Sequence, residues 1–315
     1  MIRVENLTCY YGERAAVDDI SFNIEQGEIV GFLGPNGAGK SSTMKMITGY
    51  MMPTRGNAWV AGHDMTREPL EGRSKLGYLP ETVPLYDDMT TNSYLHYIGR
   101  LRGLDKAKTA LRVDEVIEIC ALGEYRDVLL SKLSKGYRQR VGLGQSIIND
   151  PEVLILDEPT IGIDPIQVAQ TRQLIKHLGE NRTILLSSHI LPEVSMVCER
   201  VIIINKGKIA AEGSIDNLSS DLMDGDQLKV RVRGGSEAEV AQELNAIKGV
   251  CDVRYQDPFH LIRANPGHEL QGAIIAAVGA KSWSLLSMES VGQSLEDIFL
   301  HLTTSEGGSD RESDT

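Results

Sequence analysis

Cysteine is scarce in this sequence, and no two cysteines lie close together. The four are Cys9, Cys120, Cys198 and Cys251. Because none of them forms a CxxC pair, the spacing argues against a zinc or dithiol motif and favours reduced, mostly buried thiols in an intracellular protein. A disulfide or a metal site is the alternative that the sequence leaves open.

Long apolar runs and an excess of basic residues are also missing. Apolar windows such as residues 273–280 are much shorter than the roughly 20 residues that cross a bilayer, so a role at a membrane requires another chain to provide the span. Residues 1–6 lack the pattern of a signal peptide. With 44 acidic and 32 basic residues the net charge is −12. We therefore expect no nucleic-acid partner, since no cationic surplus is present to displace counterions.

What the sequence does contain is enough chain for about two domains. Its 315 residues are 41% hydrophobic and 24% charged, which are ordinary proportions for a globular protein. The composition changes near residues 219–221. We therefore expect a first domain at 1–218, a second domain at 219–304 and a disordered acidic tail at 305–315.

A glycine-rich stretch stands between a predicted strand and a predicted helix. It consists of Gly34, Pro35, Asn36, Gly37, Ala38, Gly39, Lys40, Ser41 and Ser42. Glycines let backbone N–H groups converge on an anion, and the start of the helix adds partial positive charge. In such a loop the lysine supplies a charge for the β- and γ-phosphates, and the serine after it supplies a hydroxyl for Mg²⁺. The stretch predicts a nucleotide-binding P-loop, with a ligand-free turn as the alternative.

Two apolar strands further along the chain end in polar residues. Residues 153–156 lead into Asp157 and Glu158, and residues 183–188 lead into His189. Strands that are apolar on both faces lie inside parallel sheets, and open α/β sheets bind ligands at the carboxyl ends of their strands. We therefore expect an α/β first domain in which these three side chains share a layer with Lys40. Helical periodicity further predicts a helical insert at about 90–150.

Two shorter features each have two interpretations. Residues 133–140 open a helix with Ser134 as its N-cap, which leaves the following N–H groups free for an anion. Taken alone, these eight residues also fit an ordinary capped helix. Tyr11 is either a core tyrosine or an aromatic platform for a purine ring.

The second domain has a different order of elements. Strands are predicted at 227–233, 250–255, 259–264 and 283–288, and helices at 237–247 and 269–278. The order β-α-β-β-α-β predicts a small α+β domain of the ferredoxin-like type. A last amphipathic helix is expected at 295–302.

Together, the motifs of residues 1–215 resemble those of the ATPase subunit of ATP-binding cassette (ABC) transporters. The P-loop at 34–41 is followed, in the family's order, by its signature motif at 133–140 and its magnesium strand at 153–158. The resemblance implies that Asp157 and Ser41 hold Mg²⁺, and that Glu158 and His189 are catalytic. It also implies that Tyr11 stacks on adenine.

The same resemblance implies that the site is completed by a second subunit. The signature residues Ser134, Lys135, Gly136 and Tyr137 would cover the ATP held by the partner, and Asp164 would lie in the dimer-contact loop. In this family the signature usually has glycine at the position of Lys135 and glutamine at that of Tyr137. Lys135 either adds a cation near the partner's γ-phosphate or faces solvent.

Glu81 is a further departure from the family, which usually has glutamine there. That position normally contacts Mg²⁺ and the attacking water, and its loop contacts the membrane subunit. A carboxylate can also hold the metal, although it brings negative charge towards the γ-phosphate. We therefore retain Glu81 as a third expected metal ligand.

The resemblance implies an ATPase with ATP and Mg²⁺ as cofactors, working as a homodimer on a separate multi-span permease. It would lie on the inner, cytoplasmic face of the cell membrane through that permease. Residues 294–303 resemble the ending found in bacterial exporters of the drug, gliding-motility and copper-site-assembly branch. The alternative is a soluble ABC ATPase of translation or DNA repair.

The role of the second domain is a separate question. We expect it to be either a ligand sensor or a dimerisation or stabilising module.

Overall fold

A computed structural model describes residues 1–215, 217–218, 227–265, 270–290 and 299. In this part of the chain two compact units are formed, one by residues 1–215 with 299 and the other by residues 217–218 with the described residues between 227 and 290. Each unit has its own hydrophobic core. The predicted tail at 305–315 lies outside the described residues, as does the predicted helix at 295–302 apart from Phe299.

The first unit contains ten strands among its described residues. They are β1 (Ile2–Tyr11), β2 (Arg14–Ile24), β3 (Ile29–Leu33), β4 (Arg55–Val60), β5 (His63–Asp64), β6 (Leu76–Leu79), β7 (Val153–Asp157), β8 (Thr183–Ser188), β9 (Arg200–Asn205) and β10 (Lys208–Ser214). One sheet has the order β10-β9-β3-β8-β7-β6, and all its pairs are parallel except the hairpin of β9 and β10. The other sheet is antiparallel, with the order β2-β1-β4-β5.

The two predicted interior strands have the expected surroundings. Every residue of β7 and of β8 is buried. Each of them pairs in parallel on both sides, as a strand that is apolar on both faces requires. The core between the two sheets includes Phe32 of β3 and Phe22 of β2, whose ring centroids are 5.6 Å apart.

Besides two 3-10 turns at Gly123–Tyr125 and Leu130–Lys132, the described residues of the first unit contain seven α-helices. They are α1 (Lys40–Ile47), α2 (Pro69–Ser74), α3 (Thr91–Leu101), α4 (Lys106–Ile119), α5 (Lys135–Ile147), α6 (Pro165–Gly179) and α7 (Leu191–Ser195). The side chains of Thr90, Asp105 and Ser134 cap α3, α4 and α5 by accepting a hydrogen bond from the backbone N–H three residues on. These three helices lie between β6 and β7 in the sequence, and they pack against one another.

The sequence analysis did not predict β5 and α2. The element β5 has two residues and α2 has six, which is too short for a periodic pattern to emerge. The first half of β2 carries Arg14, Asp18 and Asp19 and is held by its pairing with β1. No helix among the described residues is long and apolar enough to cross a bilayer.

The second unit is built from four strands and two helices within its described residues. They are β11 (Gln227–Arg233), α8 (Glu237–Asn245), β12 (Val250–Gln256), β13 (Phe259–Ala264), α9 (Leu270–Ala280) and β14 (Ser284–Ser290). The strands form one antiparallel sheet in the order β12-β13-β11-β14. Its core includes Val230, Val240, Leu244, Ile262 and Ile274.

Candidate active site

The parallel strands of the larger sheet deliver the predicted site residues to one edge. Leu33 of β3 lies beside Ser188 of β8, and Asp157 of β7 lies beside Ser187. Because neighbouring parallel strands end together, the loop after β3, the acids after β7 and the histidine after β8 meet there. The prediction that these motifs share a layer is therefore confirmed by the strand register.

The loop between β3 and α1 needs glycine at two positions in particular. Gly37 and Gly39 have φ angles of +80° and +111°, which residues with a Cβ rarely adopt. A Cβ on Gly39 would lie 2.4 Å from the carbonyl oxygen of Ala16. The loop is closed by a hydrogen bond of 3.1 Å that the N–H of Ala38 donates to the carbonyl of Pro35.

Lys40, at the start of α1, is buried beneath this loop. Its ammonium donates a hydrogen bond of 2.7 Å to the carbonyl oxygen of Gly34 and lies 3.6 Å from Oε1 of Glu158. Both charged side chains are about 7% exposed. A buried charge is costly unless it is paired, and here each compensates the other.

The acids after β7 are held by a serine that the sequence analysis did not single out. Ser187 donates a hydrogen bond of 2.5 Å to Oδ1 of Asp157, and its hydroxyl accepts one of 3.0 Å from the N–H of Glu158. Asp157 and Glu158 are both buried. A hydroxyl residue within the buried strand β8 was the available signal, because a buried hydroxyl needs partners.

Glu158 has a backbone conformation that is uncommon for its residue type. Its φ angle is +51°, in the left-handed region, where such residues often mark functional sites. Its Oε2 is 2.8 Å from Nδ1 of His189, so the imidazole N–H donates to the carboxylate. One carboxylate thus bridges Lys40 and His189.

An open cleft of about 530 Å³ lies over the P-loop. It is lined by Tyr11, Arg14, Ala16, Pro35, Asn36, Gly37, Gly39, Lys40, Ser41, Ser42, Glu81, Glu158 and Ile161. Tyr11 is 53% exposed and its hydroxyl is 3.4 Å from that of Ser42, so the core interpretation of Tyr11 is wrong. Arg14 is a lining residue that the sequence analysis missed, because it lies inside an edge strand with no motif around it.

Negative charge is concentrated beside this cleft. Burial raises the pKa of the Tyr78 hydroxyl well above its ordinary value, and the carboxylates of Asp157 and Glu81 raise it further. The carboxylates of Asp157 and Glu81 therefore disfavour ionisation of the Tyr78 hydroxyl. The same negative charge favours a cation at this position.

The signature residues lie elsewhere in the first unit, since none of Ser134, Lys135, Gly136 and Tyr137 lines the cleft. Ser134 accepts a long hydrogen bond of 3.5 Å from the N–H of Tyr137, as the N-cap of α5. The ring centroid of Tyr137 lies 3.8 Å from that of Tyr125.

The loop before α6 packs against this motif. A Cβ on Gly136 would meet the side chain of Gln167, and a Cβ on Gly162 would lie 2.2 Å from Nζ of Lys135. The ammonium of Lys135 therefore rests on the loop that carries Asp164, within the same chain. Asp164 itself caps α6, because its Oδ1 accepts hydrogen bonds of 3.1 Å from the N–H groups of Ile166 and Gln167.

Comparisons with known proteins agree with this geometry. The family model described as ABC transporter matches residues 17–161. The linearmycin resistance ATP-binding protein LnrL of Bacillus subtilis (strain 168) is 33% identical over 306 residues, covering 96% of this chain and 98% of the relative. The daunorubicin/doxorubicin resistance ATP-binding protein DrrA of Streptomyces peucetius is 34% identical over 305 residues, covering 96% of this chain and 92% of the relative.

Solved structures agree at the level of the fold. An ATP-binding subunit of an ABC transporter has a TM-score of 0.64 and 29% identity, covering 70% of this chain and 92% of that one. The cassette MJ0796, solved as a dimer in a post-hydrolysis state with ADP and Pi, has a TM-score of 0.63 and 24% identity, covering 68% of this chain and 98% of that one. The resemblance in the motifs is thereby confirmed. This chain belongs to the ATP-binding subunits of ABC transporters, and it binds and hydrolyses ATP.

Proposed function

We propose that this chain powers an exporter of the drug-resistance type by closing as an ATP-bound dimer beneath a separate membrane permease. The observation that carries the proposal is the division of the motifs into two surfaces. The P-loop and Glu158 line one cleft, whereas the signature residues 134–137 lie outside it. A site divided in this way is complete when a second copy supplies its signature surface.

ATP enters the cleft with its phosphates on the loop 34–39 and the start of α1. The converging N–H groups and the ammonium of Lys40 offset the phosphate charge. The exposed ring of Tyr11 forms the wall of the cleft beside Ser42 and stacks on the adenine.

The donor set at this edge fits Mg²⁺, which prefers oxygen ligands. The hydroxyl of Ser41, the carboxylate of Asp157 and that of Glu81 would hold the ion. When bound, it neutralises charge on the phosphates. Asp157 is already oriented by Ser187, and Ser41 and Glu81 line the same cleft.

In hydrolysis the chain's own residues position water and stabilise charge. Glu158 holds the attacking water and takes its proton. His189 fixes the carboxylate through the hydrogen bond to Oε2, and its imidazole would contact the γ-phosphate once ATP is bound. Lys40 moves its charge from Glu158 to the phosphates when ATP binds, which frees the carboxylate for the water.

The geometry of the signature surface supports dimerisation. Ser134 and the first N–H groups of α5 provide donors for the γ-phosphate of the partner. The cassette MJ0796, which shares the fold, was solved as a dimer bound to ADP and Pi.

A groove of about 680 Å³ on the first unit is the permease contact in this proposal. It joins the segment after β6 to α3, and its lining includes Tyr50, Tyr97 and Leu101. These side chains are 78%, 42% and 69% exposed. Exposed apolar patches of this kind mark protein interaction sites. The permease would hold the chain on the cytoplasmic face of the membrane.

The export direction and the class of cargo rest on relatives. LnrL and DrrA are named for resistance to linearmycin and to daunorubicin and doxorubicin, and both align over nearly the whole chain, including the second unit. We assign that unit to the ferredoxin-like type because the strand order β12-β13-β11-β14 and the element order β-α-β-β-α-β support it. It would form a domain of its own after a first domain at 1–218.

The test is purification of the tagged chain from detergent-extracted membranes, with the co-purifying proteins identified. A multi-span membrane protein recovered in stoichiometric amount is expected. Recovery with ribosomes or DNA and without any membrane protein would instead support the soluble ABC ATPase of translation or repair.

A further inference from the structure

The second unit contains a cavity of about 750 Å³ that plays no part in the nucleotide site. It lies where β11 ends, α8 begins and the turn between β12 and β13 comes close. The backbone pairing of β11 with β13 stops at Val230 and His260, so the end of β11 extends past its neighbour. This offset leaves the space that the cavity occupies.

The charge of the cavity is mainly positive. Arg231 and Arg233 line it from β11, and neither guanidinium forms an ion pair with another described residue. Glu237 is the acid among the lining residues. Guanidinium groups bind carboxylates and phosphates through paired hydrogen bonds, so two of them beside one another favour an anion.

The start of α8 supplies further donors at the same place. Ser236 and Glu239 form a capping box in which each side chain accepts a hydrogen bond from the other's backbone N–H. The N–H groups of Glu237 and Ala238 have no partner within the helix, because the first turn of a helix has none to offer. They add partial positive charge to that of the arginines.

A buried histidine forms part of the cavity wall beside the start of α8. His260 lines the cavity and is 3% exposed. Its Nε2 lies 3.2 Å from the carbonyl oxygen of Glu237, whereas its Nδ1 has no hydrogen-bond partner among the described residues. A buried polar atom without a partner is unfavourable, and here it lies in the wall of the cavity, beneath the surface that a ligand would touch.

Part of the remaining wall is apolar. Val232 and Leu286 contribute hydrocarbon surface to the lining. The glycines that precede α8 lie against an indole, since a Cβ on Gly235 would be 2.7 Å from Cε2 of Trp283. The site therefore combines a cationic end, a fixed loop and an apolar wall.

We propose that this cavity binds a small organic anion, with its acidic group on Arg231, Arg233 and the start of α8 and its apolar body against Val232 and Leu286. The second unit is then a ligand-binding module, in addition to the nucleotide function of the first unit.

Tryptophan fluorescence offers a direct test on the full-length protein. The chain has two tryptophans, so Trp59→Phe leaves Trp283 as the reporter beside the cavity. Titration with sodium octanoate is expected to give a saturable change, and acetate is expected to bind at least about tenfold more weakly because it lacks the apolar body. No saturable change with octanoate would overturn the proposal, and equal binding of the two would overturn its apolar part.

Charge variants assign the binding to this cavity. Arg231→Gln with Arg233→Gln is expected to weaken octanoate binding at least about tenfold. Arg254→Gln, which removes an exposed arginine outside the lining, is the matched control and should bind as the parent does. Glu237→Gln removes the lining acid and should tighten binding, which keeps the test decisive if the double variant is poorly folded. Unchanged affinity in the double variant, or weaker binding in Glu237→Gln, would show that octanoate binds elsewhere.

Discussion

The ammonium of Lys40 lies 3.6 Å from the carboxylate of Glu158, and the other oxygen of that carboxylate is 2.8 Å from His189. The lysine belongs to the first helix of the chain, whereas the two other residues follow strands that come after the helical insert. Both members of the Lys40 and Glu158 pair are buried, so the loss of either leaves an uncompensated charge. In the proposed mechanism this pairing would connect phosphate binding with catalysis, because the phosphates of ATP would compete with Glu158 for the same ammonium.

Replacing Glu158 with glutamine should abolish turnover but leave ATP bound. The amide keeps the size of the side chain and cannot take a proton from water, so we expect the hydrolysis rate to fall at least about a hundredfold. ATP should then hold the variant as a dimer, which light scattering during size-exclusion chromatography measures. Glu152→Gln, at an exposed acid paired with Lys75, is the control. Parent-like hydrolysis by Glu158→Gln would exclude Glu158 as the base.

Replacing Lys40 with alanine should remove nucleotide binding itself. The ammonium is a buried positive charge beneath the P-loop, and without it the phosphates also meet the unpaired carboxylate of Glu158. Calorimetric titration with ATP should therefore show no binding at concentrations that saturate the parent. Lys208→Ala removes an exposed lysine paired with Asp18 and should leave ATP affinity unchanged. If Lys40→Ala retains its affinity for ATP, the P-loop assignment is wrong.

Mixed dimers should reveal that each ATP site uses two subunits. Lys40→Ala disables the P-loop and Ser134→Arg disables the signature surface, so each variant alone should be inactive. A mixture contains heterodimers with one intact P-loop facing one intact signature, and we expect it to recover part of the parent's ATPase rate. A mixture as inactive as the separate variants would argue that the signature motif acts within its own chain.

The groove beside α3 should be required for transport and dispensable for basal hydrolysis. Leu101 is 69% exposed at the groove, and an aspartate there should prevent permease binding without disturbing the core. Leu111 is 71% exposed and lies outside the groove, so Leu111→Asp is the matched control. Co-purification of the permease and export activity should be lost in the first variant alone. Equal loss in both variants, or in neither, would remove the groove as the docking site.

Thiol reactivity should distinguish one cysteine from the other three. Burial raises the pKa of Cys120 and of Cys198 to about 12 and also raises that of Cys9. The thiolate is the reactive form, so these thiols stay protonated and unreactive at pH 8. Cys251 is exposed, and iodoacetamide should modify it first in the native protein. Mass spectrometry that finds rapid labelling of Cys120 or Cys198 without unfolding would contradict this.

The sequence alone determined the chemistry at each motif. Glycines before Lys40, apolar runs before Asp157 and His189, and a serine at the start of α5 have fixed consequences for local backbone and charge. These consequences depend on neighbours in the chain, so they are readable without a structure. The sequence also predicted the parallel sheet, because strands that are apolar on both faces lie in the interior of a sheet.

The tertiary structure decided which side chains meet. Strand register brings Ser187 under Asp157, and helix packing rests Lys135 on the loop of Gly162. The offset between β11 and β13 creates a cationic cavity that no sequence motif announces. Such contacts join residues far apart in the chain, and their distances depend on how whole elements pack. Local sequence patterns predicted that Lys40, Glu158 and His189 share a layer, because strands of one parallel sheet end together. They did not predict the contacts of 3.6 Å and 2.8 Å that join the three side chains, because those distances depend on side-chain packing.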